Sequence, residues 1–234
     1  MTTIEQNART VQSRIKAAAE RCGRTAEDIL LVAVTKTRDA ETVNTVLRCG
    51  ISHFGENKVQ EAGQKLPFIT EPYEGFHFIG HLQTNKVKAL LKLNPSLIHS
   101  VDSLHLAREI SARTEGYGRT QDILLQVNTS GEESKSGCEP SDLPLLAKEV
   151  SQLPHLAIKG LMTIGRLSDR AEDSRQDFKL LKHLAEELEK LQLPGLDMKW
   201  LSMGMTGDFE IAIEESANLV RIGSAIFGER HYDR

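Results

Sequence analysis

One lysine follows an apolar run, in a place where a lysine is unexpected. Residues 29–37 read Ile-Leu-Leu-Val-Ala-Val-Thr-Lys-Thr, and a short run of this kind is typical of a buried parallel strand. Side chains two residues apart share a face of a strand, so Lys36 has three apolar residues on its face: Leu30, Val32 and Val34. Because burying an ammonium is costly, a lysine that bends out to solvent is the simpler interpretation of this run alone. A nucleophilic lysine that forms a Schiff base is the alternative.

Glycine and hydroxyl residues are concentrated in two loops late in the chain. Gly204 and Gly207 follow one apolar segment, and Gly223 with Ser224 follows the next. Glycine lets the backbone approach an anion, and the free N–H groups at a helix start bind it. Hydroxyl donors are added by Ser202, Thr206 and Ser224. Tight turns and helix caps explain one such loop well, but two in succession favour a phosphate site.

Arg221 completes a group of residues with a shared chemical use. It alternates with Leu219 in an apolar segment, so its side chain is expected to point inward. A buried arginine needs a partner, which is either a carboxylate or an acceptor on a ligand. A lysine that forms an imine, a phosphate site and a guanidinium together match the requirements of pyridoxal phosphate, whose ring nitrogen is held by an Asp or an Arg.

These residues fall at the ends of apolar segments that recur along the chain. Eight strand–helix units are predicted, with strands at 29–36, 51–54, 76–79, 97–100, 122–128, 157–163, 200–202 and 218–222. A capped helix from Thr2 or Thr3 to Gly23 precedes them. In 234 residues, this pattern predicts an α/β fold: a single (β/α)8 TIM-type barrel with an extra N-terminal helix, forming one domain over residues 1–234. A doubly wound open sheet is the alternative.

Composition limits the classes of partner and compartment. The formal net charge of −4, from 29 basic and 33 acidic residues, gives no general attraction to nucleic acid or to an anionic membrane. Three widely spaced cysteines and a polar N-terminus without an apolar leader fit a reducing compartment, so a cytoplasmic protein is expected.

Seven segments resemble a known family along nearly the whole chain. They are Val34-Thr-Lys36, Phe54-Gly-Glu-Asn57, His77-Phe-Ile-Gly-His-Leu-Gln83, Ser130-Gly-Glu-Glu-Ser-Lys-Ser-Gly137, Gly160-Leu-Met162, Leu201-Ser-Met-Gly-Met205 and Val220-Arg-Ile-Gly223. Their sequence is similar to that of the pyridoxal phosphate homeostasis proteins (the YggS/PROSC family), whose fold is similar to the N-terminal barrel of alanine racemase.

The resemblance implies a role for each candidate residue. Lys36 would carry pyridoxal phosphate as an internal aldimine, Arg221 would face the ring nitrogen and Asn57 would lie near the ring. The phosphate would be held by Ser202, Thr206, Gly223 and Ser224. No catalytic residue and no metal are expected. The implied function is storage, buffering or delivery of the cofactor, with enzymes that use pyridoxal phosphate as possible recipients.

Arginine opposite the ring nitrogen bears on the expected activity. A guanidinium only donates hydrogen bonds, so it favours an unprotonated ring and a weaker electron sink. In alanine racemases the second proton donor is a tyrosine from another domain, and only ten residues follow Ser224 here. None of the tyrosines (Tyr73, Tyr117 and Tyr232) follows a predicted strand. We therefore expect a monomeric binding protein rather than an enzyme, with a weak amino-acid racemase or lyase as the alternative.

Three further interpretations are weaker. A Schiff-base aldolase that uses Lys36 without a cofactor is a third class of function. His77 and His81 have a metal-like spacing, but they lie on a strand and a loop rather than on a helix, which disfavours a metal site. Lys135 lies in a loop near the expected mouth, where an exposed lysine is a simpler interpretation than a second attachment point.

Overall fold

Eight parallel strands close into a barrel in the computed structural model, which describes residues 2–132, 134–166 and 168–228. Glu133 of the 130–137 segment and Tyr232 lie outside the described residues. The strands are β1 Leu30–Val34, β2 His53–Glu56, β3 Gly75–Phe78, β4 Leu97–Val101, β5 Gln121–Gln126, β6 Leu156–Met162, β7 Leu196–Ser202 and β8 Leu219–Ile222. Each strand pairs with its neighbours in sequence, and β8 pairs with β1. The barrel prediction is confirmed, and the open sheet is wrong.

Helices surround the strands on the outside. They are α1 Thr3–Arg21, α2 Ala40–Arg48, α3 Val59–Lys65, α4 Val87–Lys92, α5 Leu104–Thr114, α6 Leu143–Val150, α7 Arg175–Lys190, α8 Phe209–Glu214 and α9 Ser224–Phe227. Among the described residues, no helix has both the length and the apolar character needed to cross a membrane.

The predicted extra helix is present as α1. Thr2 caps it, and Thr2 and Glu5 exchange hydrogen bonds in a capping box. These bonds satisfy N–H groups that have no hydrogen-bond partner within the helix. Its apolar face is buried, and the partly buried Arg14 pairs with Glu210 of α8 at 2.9 Å. The helix therefore fastens the N-terminus to the last part of the barrel.

Apolar side chains form two separate clusters. The larger one fills the layer between strands and helices, as expected for strands covered by helices. The smaller one lies inside the barrel, and its fully buried members are Val32, Leu97, Leu124, Met162 and Leu219. Leu30 packs against the smaller cluster, so the face that Lys36 was predicted to share does point into the barrel.

β7 differs most from its predicted range, since it begins at Leu196 rather than at Trp200. Its first half alternates, with exposed Asp197 and Lys199 between partly buried Leu196 and Met198. Lys159 of β6 pairs with Asp197 at 3.2 Å. A strand that carries charges on one face lacks the apolar run from which buried strands are predicted.

Candidate functional site

Lys36 lies at the carboxyl mouth of the barrel, two residues beyond the end of β1. It shares a cavity of about 60 Å³ with Gly223 and Ser224, which follow β8. β1 pairs with β8 through Val32 and Arg221, and this pairing brings the two strand ends together. Arg38 lines the same cavity and donates to Gly228 O at 3.0 Å, so this mouth holds a cation that was not predicted from the sequence.

The two glycine-containing loops meet, as the prediction of a phosphate site requires. Thr206 follows β7, and its Oγ1 accepts a hydrogen bond from Ala225 N at 3.3 Å. Ala225 is the second residue of α9, which begins at Ser224. The backbone of Gly223 and the hydroxyls of Thr206 and Ser224 therefore border one small region beside Lys36.

Arg221 is buried inside the barrel, with 4% of its surface exposed. Its guanidinium donates to Ser202 Oγ at 2.5 Å and to Thr163 O at 2.8 Å. Burial lowers the pKa of Arg221 to about 10, which leaves it charged at neutral pH. Its hydrogen bonds among the described residues go to neutral groups and to no carboxylate, and Asp208 acts on it only as a nearby negative charge. The neutral partners do not compensate the charge of the buried guanidinium, so an acceptor on a ligand can interact with it favourably.

Ser202 occupies a different position from the other predicted phosphate ligands. Its side chain is fully buried, and its Oγ bonds to Arg221 and, at 2.9 Å, to Nδ1 of His99. Thr163, which accepts the other Arg221 bond through its carbonyl, is also fully buried. The hydrogen bonds thus join Ser202 to the guanidinium, and its contact with a phosphate stays a prediction.

Asn57 lies immediately after β2 and lines a neighbouring cavity of about 130 Å³ rather than the one beside Lys36. Its Oδ1 is buried and has no hydrogen-bond partner among the described residues. The backbone here is closely packed, since a Cβ at Gly80 would lie 2.2 Å from Asn57 O. An acceptor held in place without a donor fits a position next to a ligand.

A buried ion pair lies behind the backbone that carries Lys36. Lys65 Nζ donates to Glu56 Oε1 at 2.5 Å, to Thr35 O at 2.8 Å and to Glu61 Oε1 at 3.1 Å. Glu61 in turn accepts a hydrogen bond from Thr37 N, and Thr37 has a left-handed φ of 65°. The two residues that flank Lys36 are therefore held by charged groups, which positions the lysine.

Three histidines form a line inside the barrel that was not predicted from the sequence. His77 Nε2 lies 2.9 Å from His53 Nδ1, and His77 Nδ1 lies 2.8 Å from His99 Nε2. Since both ring nitrogens of His77 are bonded and His81 is exposed, these two do not form the metal-like pair considered above. Among the described residues, no group of three or more His, Cys, Asp or Glu is arranged to hold a metal ion.

Lys135 is more enclosed than an exposed loop lysine would be. Its side chain is 17% exposed, pairs with Glu132 and donates to Gly165 O at 2.6 Å. The expectation of an exposed lysine is therefore wrong. Its ammonium is bound to the loop that follows β6, and a role as a second attachment point stays a prediction.

Comparison with known proteins agrees with this arrangement. The model of the alanine racemase N-terminal domain matches residues 3–231. A pyridoxal phosphate homeostasis protein of Aquifex aeolicus is 41% identical over 99% of this chain and 100% of its own length. The structure of PipY of Synechococcus elongatus PCC7942 with PLP bound superposes with a TM-score of 0.82 at 32% identity, covering 96% of this chain and 100% of that one.

A more distant structure shows the fold alone. Alanine racemase of Corynebacterium glutamicum has a TM-score of 0.74 at 15% identity, and the match covers 99% of this chain and 62% of the racemase. Taken with the full-length relatives, these matches place the sequence in a defined group. The chain belongs to the alanine racemase N-terminal domain family and to the pyridoxal phosphate homeostasis proteins.

Proposed function

We propose that this protein binds pyridoxal phosphate and serves to store, buffer or deliver it. The observation that carries the proposal is Arg221, a buried guanidinium without a carboxylate partner among the described residues, two residues before Gly223 of the cavity that Lys36 lines. A guanidinium and a lysine at neighbouring strand ends suit a cofactor whose ring nitrogen needs a donor and whose aldehyde needs an amine. Relatives of the same length carry the name of this function.

The residues present fit this cofactor. Arg221 would donate to the ring nitrogen, and the partnerless Oδ1 of Asn57 offers an acceptor near the ring. Bound pyridoxal phosphate would supply the aldehyde carbon to which Lys36 Nζ becomes covalently linked. The phosphate would be held by the cradle residues, which are Ser202, Thr206, Gly223 and Ser224.

Absence of dedicated catalysis is part of the proposal. A racemase needs a second proton donor on the far side of the cofactor. Tyr73 and Tyr117 are 43% and 39% exposed and lie away from the strand ends, on the segment before β3 and on the turn after α5. We also propose that residues 1–234 act as one monomeric domain in the cytoplasm, where the three free cysteines are stable as thiols, and that enzymes lacking the cofactor are recipients.

Reduction with borohydride tests where the cofactor is attached. Purified protein is loaded with pyridoxal phosphate, its visible absorption is recorded, and peptide mapping after reduction locates the modified lysine. We expect visible absorption and a single modified residue, Lys36, both lost in Lys36→Ala and both retained in Lys88→Ala, an exposed lysine on α4. Attachment to another lysine, or no absorption at all, would refute the proposed site.

The same variants separate binding from catalysis. Wild type and Lys36→Ala are incubated with L- and D-amino acids, and product is followed by chiral chromatography. We expect equal rates in both proteins. Turnover by wild type alone would favour the weak racemase or lyase, and condensation of a sugar phosphate by protein without visible absorption would favour the aldolase.

A further inference from the structure

A chain of hydrogen bonds crosses the barrel from one mouth to the other. Its members, in order, are Glu74, His53, His77, His99, Ser202 and Arg221. The distances along it are 3.2, 2.9, 2.8, 2.9 and 2.5 Å. His53 opens β2 at the amino mouth, and Ser202 closes β7 at the carboxyl mouth. The chain therefore connects the Arg221 end of the cofactor site with the opposite face of the molecule.

The interior is built to hold this chain. His77 and His99 are 3% and 0% exposed, and burial lowers the pKa of His77 to about 3 and that of His99 well below its usual value. Both imidazoles are therefore neutral at neutral pH. A Cβ at Gly75 would lie 2.3 Å from His53 Nδ1 and 3.0 Å from His77 Nε2, so a glycine here leaves room for the bond between the two rings.

The chemistry of the two ends fixes the direction of every bond. Arg221 only donates, and an ionised Glu74 only accepts. A neutral imidazole has one N–H donor and one acceptor nitrogen. If Ser202 donates to His99 Nδ1, each ring carries its hydrogen on Nε2 and donates to the next group, and His53 donates to Glu74. Every member is then satisfied.

Binding of the cofactor at this site would release a proton, which has to reach solvent. The inference rests on the proposed function, in which Arg221 faces the ring nitrogen. A pyridine nitrogen accepts a hydrogen bond from a guanidinium only when it is unprotonated. Arg221 would therefore exclude the proton of a protonated ring, and binding at this site would release it. Ser202, which is bonded to the same guanidinium, is the head of the chain.

We propose that Ser202, His99, His77, His53 and Glu74 form a proton relay that carries the proton released beside Arg221 through the barrel to solvent at the amino mouth. In this step the incoming proton forms a new O–H bond on Ser202, whose former hydrogen passes to His99 Nδ1. The Nε2 hydrogen of His99 passes to His77 Nδ1, and the Nε2 hydrogen of His77 passes to His53 Nδ1. His53 then carries two ring hydrogens and a positive charge.

The His53 end is suited to receive that charge. Its side chain is 17% exposed, in contrast to the two buried rings, and Glu74, 76% exposed, lies 3.2 Å away. Ser52 Oγ donates to the same Glu74 oxygen at 2.9 Å and holds it in place. Glu27 lines the same cavity as His53, but the hydrogen-bond partners of the His53 ring among the described residues are His77 and Glu74. Partial burial lowers the pKa of His53 and the Glu74 carboxylate opposes this, so an imidazolium here readily passes its proton to water.

One arm of the test needs no cofactor. In apoprotein labelled with 15N-histidine, NMR reports which ring nitrogen carries hydrogen and how fast that hydrogen exchanges with water. We expect Nε2–H forms at His53, His77 and His99, and exchange of the buried His99 hydrogen at a rate that falls at least about tenfold in Glu74→Gln, the effect of one pKa unit at His53. Exchange that is unchanged in Glu74→Gln would overturn the relay, whether or not the cofactor binds.

The second arm follows the rings as pyridoxal phosphate is added, with visible absorption as an independent measure of binding. We expect His53, His77 and His99 to move from the Nε2–H toward the Nδ1–H form, at a rate that is lower in Glu74→Gln. Glu27→Gln, which removes a charge from the same cavity, should behave as wild type. Rings unchanged in loaded protein would refute the relay alone, whereas missing absorption would refute the proposed function and leave the first arm to decide on the relay.

Discussion

Replacing Lys65 by methionine should show how strongly the backbone around Lys36 is held. The side chain of Lys65 is 5% exposed, and its three bonds reach Glu56, Thr35 and Glu61. Methionine leaves the Glu56 carboxylate, which is 0% exposed, without its cation. Breaking a buried pair in this way costs about 3–5 kcal/mol. For a chain of this size that corresponds to a fall in Tm of roughly 6–20 °C.

The loss should depend on pH, with a sign that the structure fixes. Burial raises the pKa of Glu56, and Lys65 opposes that rise. In the variant the folded-state pKa of Glu56 therefore lies further above its unfolded value. A group with a raised folded pKa contributes stability that is present below the unfolded pKa and is lost as pH rises through the folded pKa. Lys65→Met should thus be most destabilised at alkaline pH and should approach wild type as pH falls toward 5.

Urea unfolding at several pH values measures both effects. Lys88→Met on the exposed side of α4 is the matched control, with an expected change below about 0.5 kcal/mol. The double variant Glu56→Gln/Lys65→Met should recover much of the loss, since it leaves no buried charge. A cost below about 1 kcal/mol for Lys65→Met at pH 8, or a cost that grows on acidification, would refute this view of the pair.

Three other substitutions have definite expected outcomes. Gly75→Ala should lower the free energy of unfolding by about 1–3 kcal/mol and should abolish the Nε2–H form of His77 seen by NMR, because the added Cβ displaces His53. His77→Gln should flatten the acid limb of the stability curve: the folded pKa of His77 is depressed to about 3 from 6.5, so its contribution is complete above pH 6.5 and is lost as pH falls toward 3. Thr2→Ala removes the cap of α1 and should cost about 1 kcal/mol, measured by urea unfolding against the exposed Lys16→Ala.

Much of the fold was predictable because each strand end has a local pattern. The apolar run before Lys36 predicts a strand, and its end then falls at the same mouth as the end of β8, since parallel strands of a barrel share one direction. The juxtaposition of Lys36 with Gly223 and Ser224 follows from this alone. The range of β7 was predicted poorly because charges on one face of its first half, at Asp197 and Lys199, hide the strand pattern.

The interior chain was not predictable in the same way. Its hydrogen bonds join residues 24, 22 and 103 positions apart, and no local pattern relates them. Which rings meet is set by the register of β2, β3 and β4, and closure of the barrel lets Ser202 of β7 reach His99 of β4 across the interior. Neighbouring strands are staggered along the barrel wall. Residues that become partners can therefore differ in their distance from the start of their own strands. A histidine in a predicted strand gives no indication of this.

The contrast between two buried cations explains why Arg221, and not Lys65, is assigned to the ligand. Both were removed from water by folding, and each needs compensation. Lys65 has two carboxylates and a carbonyl around one ammonium, so its charge is balanced within the protein and its role is to hold the backbone. Arg221 has a hydroxyl and a carbonyl as hydrogen-bond partners, both neutral, and Asp208 is a nearby negative charge that forms no ion pair with it among the described residues. A cation whose nearest partners are neutral keeps its charge available at the mouth where Lys36 lies, and this makes the arginine a binding group rather than a structural one.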